Sequence, residues 1–257
     1  MEVNFIILGR LGNAIYRYMA SVVVCIKYNA NYVVNNFQNN NLTDNDFFNI
    51  FIENKNMQIG SINMCGFYQH DNIYKFHKSV IFDFIKKNPT HYILTDGIKA
   101  GDNNSQKYFM MDILNTPNNF NKIHKYVLHL RLEDFVTNNL LIKKERIINL
   151  LKTINFENNS ICIVCNKIES SFETEYVKYV CDFLKNENIN FLIESNDVLT
   201  DFYIMKEAEI LICSKSTLSW CSAFFSNKIK LCYFPDYIID QFDTITCKSP
   251  IDNTILY

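Results

Sequence analysis

From residue 126 onward the sequence alternates short apolar runs with helix-length amphipathic stretches, and this regularity restricts the fold more than any other feature of the chain. Apolar runs at 126–131, 160–164, 189–193, 209–213 and 229–233 are separated by helical patterns at 143–153, 172–186, 199–207 and 217–225. Strands apolar on both faces and joined by helices build a parallel sheet covered on both sides. The chain opens in the same manner. An apolar run at 3–8 passes through a glycine-containing turn into an amphipathic stretch at 13–28, the first half of a strand–helix–strand unit. A polar, Asn-rich segment at 32–49 follows, then an expected strand at 63–68, a helix at 74–87 and a short strand at 91–94. The polar, proline-containing stretch 115–121 is the natural boundary. It predicts an N-terminal α/β domain over 1–121 and a Rossmann-like domain over 122–257.

Composition excludes several function classes. With 48% hydrophobic and 20% charged residues the chain is globular rather than disordered. A net charge of -2 and no basic run longer than Lys143-Lys144 argue against a nucleic-acid partner or a polybasic membrane anchor. No apolar run approaches the roughly 20 residues of a membrane-spanning helix. Nine cysteines form no framework, and no secretory leader is apparent. Reduced thiols in a soluble, cytoplasmic protein are expected, with room for peripheral membrane association. Cys25, Cys162, Cys213 and Cys232 read as core positions in apolar strands. The pair Cys162 and Cys165 has no second ligand pair at zinc spacing. Asp44-Asn45-Asp46 has the form of a metal-binding DxD, but in its Asn-rich surroundings it reads as solvated surface.

Three stretches carry the functional signal, each placed where a strand gives way to a loop or helix. They are Gly9-Arg10-Leu11-Gly12-Asn13, His129-Leu130-Arg131-Leu132-Glu133-Asp134-Phe135 and Ser214-Lys215-Ser216-Thr217-Leu218-Ser219-Trp220. Ligands of open α/β sheets bind along that edge. Backbone N–H groups at Gly12 and Asn13, the Arg131 fork and the hydroxyls of Ser216 and Thr217 all suit a phosphate. The first stretch fits neither the dinucleotide fingerprint nor a P-loop. Asp134 can orient Arg131, His129 is expected to face inward, and Ser216 or Thr217 can equally cap the following helix. Trp220, the single tryptophan, is expected to pack rather than to stack on a sugar.

Taken in order, these stretches resemble the α-1,2-fucosyltransferase family. Residues 9–18 resemble its G-R-L-G-N-Q-x-F-Q-Y, and Gly66-Phe67-Tyr68-Gln69 its G-Y-x-Q. Residues 129–135 resemble H-I-R-R-G-D-Y, Asp201 to Met205 D-x-x-L-M, 214–223 S-N-S-T-F-S-W-W-x-A, and 234–237 a closing P-x-x-W. The resemblance implies a GT-B fold, two Rossmann-like domains with parallel sheets facing a central cleft. It implies inverting, metal-independent transfer of fucose from GDP-fucose to a glycan hydroxyl, with no cofactor beyond the nucleotide-sugar donor. Donor contacts would come from Gly12, Asn13, His129, Arg131, Lys215, Ser216 and Thr217. Arg131 would grip the β-phosphate, and Asp134, or else Glu133, would serve as the base. The chain departs from the pattern at Leu132 (Arg in the family), Glu133 (Gly), Cys165-Asn166-Lys167 (S-D-D) and Lys215 (Asn). Lys215 is expected to replace part of the charge lost at Leu132. The departures leave open another nucleotide-deoxysugar donor, or a glycan- or nucleotide-binding relative without turnover.

Overall fold

The computed structural model describes residues 2–5, 9–34, 41–51, 62–64, 66, 68–95, 106–137, 141–157, 159–236 and 249–257. They form two compact units that divide between Pro117 and Asn118.

The first unit begins with β1 (Glu2–Phe5), α1 (Leu11–Tyr28), β2 (Asn31–Val34), β3 (Asn41–Leu42), α2 (Asp44–Phe51) and β4 (Ile62–Met64). These strands form a wholly parallel sheet in the order β2-β1-β4-β3. α1 is buried on nearly every side from Leu11 to Cys25, so it serves as the unit's central helix. Asn29 ends it in the left-handed region (φ 50°), its N–H returning to Cys25 and Ile26 carbonyls. Cys25 therefore lies in a helix, not a strand as its apolar neighbours suggest. The unit continues with α3 (Asp71–Phe76), α4 (Lys78–Lys87), the antiparallel pair β5 (Tyr92–Thr95) and β6 (Gln106–Phe109), and α5 (Met110–Leu114). The helix expected at 74–87 is thus two helices broken at His77.

The second unit holds β7 (Tyr126–Leu130), α6 (Asp134–Thr137), α7 (Lys144–Leu151), β8 (Ile161–Cys165), α8 (Ser171–Asn186), β9 (Phe191–Glu194) and α9 (Val198–Lys206). It closes with β10 (Ile210–Ile212), α10 (Thr217–Phe225), β11 (Leu231–Phe234) and β12 (Thr254–Leu256). Its six strands are all parallel, in the order β12-β11-β10-β7-β8-β9. Renumbered within the unit, that is the doubly wound order 3-2-1-4-5-6 read from the β9 edge. β7 and β8 are buried at every position, the property that made them legible as continuous apolar runs. The α/β class with parallel sheets expected from the sequence is the one observed. β12 was not expected, because its short, half-exposed sequence has no apolar run.

Candidate functional site

In a doubly wound sheet the strand order reverses between the first and fourth strands, and the loops leaving their carboxyl ends diverge to leave a crevice. Here those strands are β7 and β10, hydrogen-bonded neighbours through Tyr126–Leu128 and Ile210–Ile212. Their carboxyl ends run into two of the three stretches singled out above, at 129–135 and 214–220. His129, Arg131, Ser214 and Lys215 line one small cavity of about 10 Å³ there, with Phe135 and Tyr176 among its walls. That is room for about one water molecule.

The polar groups of this cavity are anchored differently. His129 Nδ1 lies 2.8 Å from Ser214 Oγ, a buried contact in which either atom can donate. Burial, reinforced by the Arg131 charge, pushes the His129 pKa down to about 3, so the ring is neutral at physiological pH. Arg131 keeps 17% of its side chain exposed, with its Nη2 3.5 Å from Glu133 Oε2 and its guanidinium 5.5 Å above the Phe135 ring. Lys215 has its pKa lowered, first by burial and then by the charge of Arg146. Arg146 is itself held on α7 by donating from Nη2 to the Asp236 carbonyl at 3.0 Å and to that of Tyr257. Cations gathered this closely raise each other's cost of ionisation, and an anion lowers it.

Ser216 is the N-cap of α10: its Oγ accepts the Leu218 N–H at 3.2 Å. Its Oγ serves the helix as an acceptor, and Thr217 opens the first turn. Trp220 is fully buried and stacked on Phe224 at 5.1 Å, the packing role expected. Asp134 begins α6, and its side chain lies outside the described residues, as do Phe67 and Tyr237 of the quoted motifs. Gly12 and Asn13 belong to the first unit, where they open α1 behind an N-cap, Arg10, that makes no side-chain capping bond. Gly9 takes φ +83°, and a Cβ there would stand 3.0 Å from Asn13 Nδ2.

The Leu132 side chain is fully buried in the hydrophobic core with Leu130, Ile142 and Ile147. Asp44 and Asp46 are half-exposed, and they lie on the first turn of α2 rather than in a loop. Asp46 Oδ2 accepts from the N–H and hydroxyl of Thr43, and Asp44 Oδ1 accepts the Tyr68 N–H at 2.5 Å. Among the described residues no group of three metal-ligating side chains is found.

The residue of this region that was missed is Glu173, which supports the turn at Glu133. Glu133 has φ +44°, a left-handed conformation that favours glycine. Its N–H donates to Glu173 Oε1 at 3.0 Å, and the preceding Leu132 N–H to Asn166 Oδ1 at 3.3 Å. Glu173 Oε2 also accepts the Glu169 and Ser170 N–H groups, each at 2.9 Å, within a capping box at the start of α8. Burial pushes this carboxyl's pKa up, but the hydrogen bonds outweigh it and hold the value below the ordinary range. A buried carboxylate on α8 therefore braces the turn that carries Arg131. The spacing of Ser170 and Glu173 is a readable capping signal; its partner 40 residues away is not.

No family model matches the chain, and no curated protein does. Among solved structures, it is similar to the E. coli heptosyltransferase WaaC with ADP-2-deoxy-2-fluoro heptose, at 10% identity and TM-score 0.43, covering 100% of this chain and 93% of that one. The same enzyme with ADP gives 9% and 0.45, covering 100% and 92%. POFUT1 in complex with GDP-fucose gives 9% and 0.41, covering 90% of this chain and 96% of that chain. At these values the likenesses assign no ligand to this chain.

Proposed function

We propose that this chain is an inverting glycosyltransferase that takes a sugar from a nucleoside-diphosphate donor, with fucose from GDP-fucose the first candidate. The acceptor is a glycan hydroxyl, in α-1,2 linkage by the resemblance of its motifs. The observation that supports this reading most is the placement of Arg131 and Lys215 beside a neutral His129 at the β7/β10 junction. Cleaving a sugar–phosphate bond leaves charge on the diphosphate, and fixed cations in a partly water-excluded site stabilise it more in the transition state than in the ground state. Arg131 holds the β-phosphate, and Lys215 adds the second charge from the neighbouring strand's loop. Asp134 or Glu133 takes the proton of the acceptor hydroxyl, and no metal takes part.

The test is thermal unfolding with near-saturating GDP, UDP and dTDP, followed by donor hydrolysis without acceptor. A ligand at about 100 times its dissociation constant adds roughly 2.7 kcal/mol, a rise of roughly 5–10 °C for a chain this size. Stabilisation by GDP alone, lost in Arg131→Ala and reduced in Lys215→Asn, is the expected result. A response only to UDP or dTDP replaces the donor. No response to any nucleotide refutes the proposal, and binding without slow release of free sugar refutes turnover.

A further inference from the structure

Beyond β4, at the carboxyl edge of the first unit's sheet, stand buried polar side chains with no hydrogen-bond partner among the described residues. β4 lies beside β1 in the middle of that sheet, and the chain beyond β4 returns through Gly66 and Tyr68 to Gln69, His70 and Asp71. Gln69 is 9% exposed and His70 4%. Side chains buried to this degree ordinarily have hydrogen-bond partners. Among the described residues, neither the Gln69 carboxamide nor the His70 ring has one.

Their surroundings are fixed. Arg17 Nε, on α1, donates to the Gly66 carbonyl at 2.7 Å. Tyr68, at φ +54°, is held by Asp44 through its N–H, by Leu42 through its hydroxyl, and by the Tyr74 hydroxyl on its carbonyl. The His70 N–H donates to the Tyr68 carbonyl at 3.0 Å. The His70 ring lies 6.0 Å from that of Phe47 and 5.8 Å from that of Phe48. The charged groups facing His70 are Asp44 and Asp71, and burial outweighs both, leaving the ring neutral. Polar groups held rigidly and left unbonded are what a preorganised binding site presents before its ligand arrives.

We infer that Gln69 and His70 form a subsite for a neutral, hydroxyl-rich ligand, one monosaccharide unit of a glycan. A carboxamide and a neutral imidazole each offer a donor and an acceptor, matching hydroxyls that both give and receive. Asp44 and Asp71 disfavour a phosphate or carboxylate there. Identifying this ligand as the acceptor rests on the transferase reading; the subsite does not.

The full-length chain, ¹³C-labelled in its five histidines, is titrated with methyl glycosides of galactose, glucose, mannose and N-acetylglucosamine, with and without saturating GDP. His70→Gln identifies the His70 ring resonance. The expected result is a saturable shift of that resonance by at least one glycoside, with affinity reduced roughly 3–10-fold in Gln69→Leu, the loss of about one hydrogen bond. Gln69→Glu, nearly isosteric, provides a second variant if Gln69→Leu does not fold. No His70 shift with any glycoside overturns the inference, as does a shift that neither Gln69 variant weakens. A shift produced only by methylammonium ion overturns it in favour of a cation site. Melting of the same samples with GDP, UDP and dTDP in turn separates the two readings. A nucleotide response without a His70 shift defeats only the subsite, whereas a glycoside shift without any nucleotide response defeats the transferase.

Discussion

Replacing Glu173 tests whether a distant carboxylate holds the turn that carries Arg131. Its Oε1 accepts the Glu133 N–H at 3.0 Å and Asn166 Nδ2 at 3.4 Å; its Oε2 accepts the Glu169 and Ser170 N–H groups and the Ser170 hydroxyl at 3.0 Å. Glu173→Ala leaves three backbone N–H groups without an acceptor. Each net bond contributes about 0.5–1.5 kcal/mol, and a lost cap typically costs about 1 kcal/mol. Because these terms overlap and water can reach part of the turn, the expected loss is about 2–4 kcal/mol. Urea unfolding measures it as a fall in midpoint at unchanged slope. Glu173→Gln keeps the shape but turns one oxygen into a donor facing N–H groups, so it loses a smaller share. Linkage supplies a second signature. The folded-state pKa of Glu173 is depressed, so its stabilisation is present above the unfolded value, about 4.3, and is lost as pH falls through the lower folded value. The deficit of Glu173→Gln relative to the wild type therefore shrinks on acidification through that window. A loss below about 0.5 kcal/mol in Glu173→Ala, or a Gln deficit that does not change with pH, refutes the bracing role.

Three further outcomes follow from single residues. Gly9→Ala forces a side chain into φ +83° and against Asn13 Nδ2, and should lower stability by about 1–2 kcal/mol in thermal unfolding. Glu133→Gly relieves the left-handed strain at φ +44° but makes the unfolded chain more flexible, so the net gain expected from the same assay is at most about 1 kcal/mol. Asp201 is buried, accepts the Asn196 N–H and Nδ2, and has its pKa raised to about 6. Its folded form holds a proton that the unfolded chain releases, so its contribution to stability falls as pH rises from about 4 to about 6. Asp201→Asn should flatten that part of the stability–pH curve, as measured by urea midpoints.

Much of the second unit was legible because its strands are buried on both faces and its helices are long. β7 and β8 stand out as unbroken apolar runs, and α8 has its capping box and amphipathic stripe in one contiguous segment. The first unit was harder to read. Residues 44–51 look like a polar loop by composition, yet fold as α2, whose inward positions Phe47 and Ile50 fall at helical spacing among asparagines. The break at His77 has no glycine or proline to announce it. Of the site, the residues at strand ends were readable because sheet topology makes strand ends meet. The supports were not: Glu173 acts on Glu133 across 40 residues, and Tyr68 joins Asp44 across 24.

Position 132 is where the chain departs from the motif it resembles, and the structure supplies a packing reason for the leucine. Just beyond β7, Arg131 faces the cavity while Leu132 is fully buried among apolar side chains. An arginine at 132 in this core would bury a charge without a partner, which costs several kcal/mol. Leucine at this position therefore matches the core that the chain builds with α7 and α8. The second cation lies on the other side of the β7/β10 junction, where Lys215 lines the same cavity as Arg131 and stands close enough to Arg146 for their charges to interact. A doubly wound sheet makes this pairing available, because the loops after its first and fourth strands open onto one crevice. The proposed phosphate grip therefore draws on both loops, Arg131 from one and Lys215 from the other, rather than on either loop alone.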